Sequence, residues 1–210
     1  MIKVSCCAGN QAPFDISRLQ DTFCKAHCYM KVVPVTCLYA GKPKLKEKVE
    51  EAIRVHQNND RAVAFGVAAA LILERALLGK GMPDDDLVTS LDPSVQDAWN
   101  KASSFDDIET LVQETGRSCA LPGSFIAPVF LFQQAGTENA YATALRANIL
   151  AAGDTCSRAV FVGSVLAAAN QGVPEDWVAK MDKETLKRID AAAEKIADLV
   201  AADLVEEQEL

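Results

Sequence analysis

The sequence predicts an all-α fold from three observations. Apolar residues recur at helical spacing over most of the chain, N-capping and turn residues punctuate them at short intervals, and no stretch is a better strand candidate than Lys31 to Leu38. At 210 residues, half of them hydrophobic, the chain can enclose a sizeable core in one domain. The expected division is an irregular N-terminal segment over residues 1–30 and a compact multi-helix domain over residues 31–210, with no internal repeat.

Charge and composition exclude several functions. Twenty-one Lys and Arg against 29 Asp and Glu leave a net charge of −8, and no cation cluster offers a surface for neutralising phosphates, so no nucleic-acid partner is expected. Even Lys42 to Lys48 interleaves its lysines with Pro43 and Glu47. No apolar run matches a membrane span, and Met1 to Gly9 lacks a signal-peptide layout, so the expectation is a cytoplasmic protein without a membrane partner.

Seven cysteines form no regular framework, which points to reduced thiols. Cys24, His27 and Cys28 could supply zinc ligands together with Cys6, Cys7 or Cys37, but their spacing matches no repeated C-x-x-C pair. The simpler account is an irregular segment whose Phe14, Leu19 and Phe23 tuck against the first helices.

In chain order, Pro43 suits a helix first turn, and Leu45, Val49, Ala52 and Ile53 continue a stripe to about Gln57. Asn58-Asn59-Asp60 supplies a break and an N-cap. The next helix, from Ala62 to Leu77, is apolar on nearly every side and belongs in the middle of the domain, with Gly79-Lys80-Gly81 closing it. His56 in VHQNND reads either as a base or substrate contact or as a half-exposed histidine favoured by the helix dipole, and the second is expected. Asp84-Asp85-Asp86 reads as a capping cluster.

Short amphipathic helices follow from Asp92-Pro93 and from Asp106. Ser118 to Gly123 is an apolar loop of the kind that packs beside a site or fills a core, and it leads into a helix of Phe125, Ile126, Val129, Phe130 and Phe132. Pro128 there predicts a kink or a first-turn position. Val173-Pro174 opens a short helix ending near Met181, and Lys183 to Leu204 is a clean amphipathic helix expected to close the domain.

The stretch from Leu145 to Asn170 organises the rest. Two small-residue helices, both expected to be deeply buried, meet at a Gly-Asp turn. Gly153 suits the left-handed position that stops the first, and Asp154 suits the N-cap of the second, its carboxylate taking the amides of Cys156 or Ser157. Cys156 lies in the first turn of that helix, where the dipole favours a thiolate and Arg158 is near. The competing and preferred account is a small cysteine buried between alanine-rich helices.

Gly153-Asp154-Thr155-Cys156-Ser157 resembles the C-terminal metal motif of the ADP-ribosylglycohydrolase superfamily, usually Gly-Asp-Thr-Asp-Thr/Ser. PVTCLYAG (34–41), VHQNND (55–60), SCALPGSF (118–125) and the run from Ala144 to Ser157 resemble its J-type crystallin and selenoprotein branch, in which the motif becomes Gly-Asp-Asn-Cys-Ser-Arg. The resemblance implies magnesium as cofactor, with Asp154 and Ser157 at ligand positions and Cys156 in place of the second Asp. It further implies Asn148, Gly153 and Thr155 as contacts to an ADP-ribosyl ligand. The family's N-terminal Thr-Asp-Asp-Thr motif is not found, and about the first third of the expected domain is expected to be missing.

What the resemblance implies is therefore a magnesium-dependent hydrolase of ADP-ribosyl linkages with a degenerate, incomplete metal site and weak or no activity. The alternative is a non-enzymatic, crystallin-like structural or binding protein. Missing helices would leave apolar surface exposed, and with it a tendency to self-associate.

Overall fold

The structure, a computed structural model, describes residues 24–134, 140–169 and 172–208, with side chains to residue 203. Cys6, Cys7, Phe14, Leu19 and Phe23 fall outside them. In chain order the helices are α1 (His27–Met30), α2 (Val33–Tyr39), α3 (Leu45–Arg54), α4 (Asp60–Leu77), α5 (Asp85–Ser90), α6 (Pro93–Ala102), α7 (Ile108–Thr115), α8 (Gly123–Gln133), α9 (Ala140–Leu150), α10 (Thr155–Ala169), α11 (Glu175–Val178) and α12 (Lys183–Gln208). The strand candidate at Lys31 to Leu38 is instead mostly α2, with Pro34 in its first turn. Extended pairing among the described residues is one isolated antiparallel bridge, Lys25 to Ala120. The fold is all-α.

Helix starts follow the capping rules. Asn59 accepts the Ala62 amide at 3.1 Å, Asp84 that of Leu87 at 3.0 Å and Asp92 that of Ser94 at 2.9 Å. The cap of α7 is Asp107, which accepts the Thr110 amide at 2.8 Å, one residue later than Asp106.

The core is built where α4, α8 and α10 meet. Residues 123–132 of α8 are all buried, as an unbroken apolar helix demands. Phe65 of α4, Phe125 and Phe132 of α8, Phe161 of α10 and Tyr29 of α1 form one aromatic cluster with ring centroids 5.0 to 5.9 Å apart. Edge and tilted contacts of this kind are worth about 0.5–1.5 kcal/mol each beyond area burial. Gly66 lets α1 and α3 close on α4, since a Cβ there would stand 2.3 Å from Ile53 and 2.8 Å from the Cys28 carbonyl.

Pro128 lies inside α8 rather than in its first turn. Proline has no N–H to give the carbonyl four residues back. That carbonyl, on Ser124, instead accepts the Tyr29 hydroxyl at 2.8 Å, so the missing backbone bond is replaced by one that ties α1 to α8.

Two expectations for the last third fail. Ile149 and Leu150 at the end of α9 are 61 % and 74 % exposed, because that helix turns Ala140, Ala144, Leu145 and Asn148 inward. Likewise α12 packs chiefly on α2 and does not close the domain; its Ile189 and Leu199 are about half exposed, and Lys42 holds its Asp203 at 2.7 Å. One short helix cannot cover a stripe as long as that of α12.

Candidate functional site

The α9–α10 turn is positioned from outside by a relay of backbone bonds. In VHQNND it is Gln57, not His56, that is fully enclosed: its side chain accepts the Lys25 amide at 2.8 Å and donates to the Lys25 carbonyl at 3.2 Å. The segment so held pairs with the 118–123 loop, Ala26 N–H to the Cys119 carbonyl at 2.8 Å and Leu121 N–H to that of Cys24 at 3.1 Å. Arg117, just before that loop, then accepts the Asp154 amide on its carbonyl at 2.8 Å. Residues 24–26 thus link two of the segments that carry the sequence resemblance, 55–60 and 118–125, and the residue just before the second holds the turn.

At the turn, Ala152 and Gly153 both take positive φ, 58° and 78°. Gly153 stops α9 as expected, and a Cβ on it would lie 2.4 Å from the Arg117 carbonyl, so it also admits the neighbouring loop. Asp154 does not take the amides of Cys156 or Ser157. Its Oδ1 accepts the Ser157 hydroxyl at 3.0 Å, and its Oδ2 is buried without a hydrogen-bond partner. Thr155 is half-buried, its N–H on the Gly153 carbonyl at 2.8 Å. Asn148, fully buried, donates Nδ2 to the Thr155 carbonyl at 2.9 Å and leaves Oδ1 unpaired. Asn148, Gly153, Asp154, Thr155 and Ser157 are therefore brought together. Cys156 is exposed rather than packed between helices.

Arg158 and Tyr29 are residues the sequence reading did not place in the site. Arg158 is 1 % exposed, donates Nη2 to the Ala152 carbonyl and leaves Nε buried and unpaired. An arginine on the inward face of a small-residue helix was the available signal. Tyr29 is fully buried, and its hydroxyl is held firmly in the neutral form, by burial first. His27 and His56 both have lowered pKa values, chiefly through burial and then through neighbouring cations, with Asp154 opposing the shift at His27. His56 is half-buried as expected, but burial, with Lys31 and His27 nearby, holds it toward the neutral form.

Magnesium requires near-octahedral oxygen ligation. The turn offers the Asp154 carboxylate and the Ser157 hydroxyl, while the Cys156 thiol is a soft donor. No group of three or more His, Cys, Asp or Glu among the described residues could hold a metal ion; Cys6 and Cys7 of the zinc reading lie outside them. Among the described residues, those at the turn do not make a donor set that fits a magnesium ion.

No helix among the described residues is long and apolar enough to cross a membrane. Crystallin J1A of Tripedalia cystophora is 29 % identical over 162 residues, covering 74 % of this chain and 49 % of that one. Crystallin J1B of the same organism is 25 % identical over 159 residues, covering 72 % and 48 %. The chain spans about half the length of these curated relatives. The ADP-ribosylglycohydrolase family model matches residues 8–209. With nearly its whole length matched, the chain belongs to the ADP-ribosylglycohydrolase family.

Proposed function

We propose that the α9–α10 turn recognises an ADP-ribosyl group and that hydrolysis there is weak or absent. The observation that carries this reading is Asp154, whose Oδ2 is buried and unpaired at a turn without a second carboxylate. A ribose hydroxyl donating to Oδ2 would satisfy an atom the fold leaves without a partner, and desolvated acceptors of this kind discriminate strongly for a donor. Gly153 and Thr155 frame the ligand, Asn148 supports them from within through the Thr155 carbonyl, and Ser157 orients the carboxylate. With no donor set for magnesium, the turn lacks the means to polarise a glycosidic bond through a metal ion, which is why turnover is low.

The competing reading is a non-enzymatic, crystallin-like scaffold, favoured by the two crystallin relatives. Calorimetric titration of ADP-ribose into wild type and into folded Asp154→Asn separates the two. Recognition predicts binding that the substitution removes; no binding to wild type selects the scaffold. Chromatography of a long incubation with an ADP-ribosylated peptide then measures turnover. Our reading keeps the cytoplasm as the expected compartment, and exposed Ile149 and Leu150 beside the turn give self-association a surface that light scattering would reveal.

A further inference from the structure

At 26 residues α12 is about 39 Å long by the rise of an α-helix, yet none of residues 183–203 is buried. Its chief packing partner is α2, a helix of seven residues, and Lys42 pins its far end through Asp203. Leu186, Ile189, Ala193, Ile196 and Val200 recur at alternating steps of three and four, the narrow stripe of a two-helix seam. Along that stripe Ala193, Ile196, Ala197, Val200 and Ala201, with Cys37 of α2, line an open apolar groove of about 420 Å³. Ile189, the seam position before it, is 48 % exposed. A lipid surface is a poor occupant, because α12 carries no aromatic residue and its four Lys and Arg are outnumbered by seven Asp and Glu.

We infer that this groove takes α12 of a second copy of the chain, the two helices running antiparallel about a two-fold axis. Charge selects both the occupant and the direction. Residues 183–195 hold four cations and three carboxylates, whereas residues 196–208 hold four carboxylates and no cation. A parallel pair would lay the two acidic halves together and set Asp203, the seam position after Val200, against its own copy. Antiparallel pairing lays each acidic half along a cationic one and opposes the two helix dipoles. With Ala193 seated against Ile196 and Ile189 against Val200, each layer matches a large side chain to a smaller one. The same register brings Arg188 of one copy to the level of Ala201 of the other, two residues from Asp203. The two-fold axis repeats these contacts, so association closes at two copies. The pairing depends neither on what the α9–α10 turn binds nor on the exposed Ile149 and Leu150.

Sedimentation velocity of the full chain from micromolar to millimolar concentration tests the pairing. A monomer–dimer equilibrium is expected, with a dimer that weakens as sodium chloride is raised. Ile189→Lys places a charge in the seam at a position half open to water, so it should abolish the dimer while leaving the circular dichroism and Tm of dilute protein unchanged. Arg188→Glu should weaken the dimer at low salt, and that difference should fade at high salt. Leu150→Ser should leave the dimer intact. A monomer at every concentration, a dimer that survives Ile189→Lys, or a dimer that tightens with salt would overturn the inference. So would a dimer that Leu150→Ser removes and Ile189→Lys does not.

Discussion

The aromatic core and the α9–α10 turn sit side by side and are finished to different standards. In the core, Phe65, Phe125, Phe132 and Phe161 interlock, and the one polar group among them, the Tyr29 hydroxyl, has its acceptor on Ser124. At the turn and at the VHQNND corner linked to it lie all four buried side-chain atoms left without a partner among the described residues: His56 Nδ1, Asn148 Oδ1, Asp154 Oδ2 and Arg158 Nε. Buried polar atoms left unpaired cost stability, and their gathering at one corner is the ground on which that corner is proposed as the site.

Substitutions can sharpen or break the contrast. The largest effect is expected at Phe161, which touches rings on α1 and α8: Phe161→Ala should cost about 3–5 kcal/mol in urea unfolding followed by circular dichroism. At the turn, Gly153→Ala forces a side chain into positive φ and against the Arg117 carbonyl, a cost of about 1–3 kcal/mol by the same measurement. Ser157→Ala removes one hydroxyl bond to Asp154 and should cost about 1 kcal/mol. A loss at Ser157 as large as that at Phe161 would erase the distinction between the two regions.

The gentlest probe is pH. His27 and His56 have lowered pKa values in the folded protein. As pH falls through the ordinary histidine value of 6.5, the unfolded chain takes up protons that the folded one refuses, so stability declines below that pH and is fully present above it. Thermal unfolding from pH 7.5 to 5.5 should show a falling Tm, with the fall reduced in His56→Gln; a Tm that rises as the solution is acidified contradicts it.

Much of this was legible in the residues. Asn59, Asp84 and Asp92 cap where their side-chain chemistry says they should, and the unbroken apolar run from Phe125 to Phe132 could only be interior. Gly153 announced both a stop and a close approach. What was not legible depends on three-dimensional neighbours. Nothing local says that Gln57 rather than His56 is enclosed, since that follows from Lys25, 32 residues away. Periodicity likewise gave α12 an apolar stripe without saying how little of it α2 covers. Cys156 was expected inside because its neighbours are small, yet at the first turn of α10 its position faces out. Arg158 was read as an accessory to that thiol, and its burial is decided by the packing of α10 on α1, α4 and α8.

As proposed, this turn recognises its ligand through its own side chains and not through magnesium. The most direct measurement is the Kd of ADP-ribose in magnesium divided by its Kd in EDTA. Measurable binding in both and a ratio near one are expected. Binding that appears only with magnesium, or that tightens manyfold with it, would contradict the account, and no binding in either buffer would hand the turn to the scaffold reading.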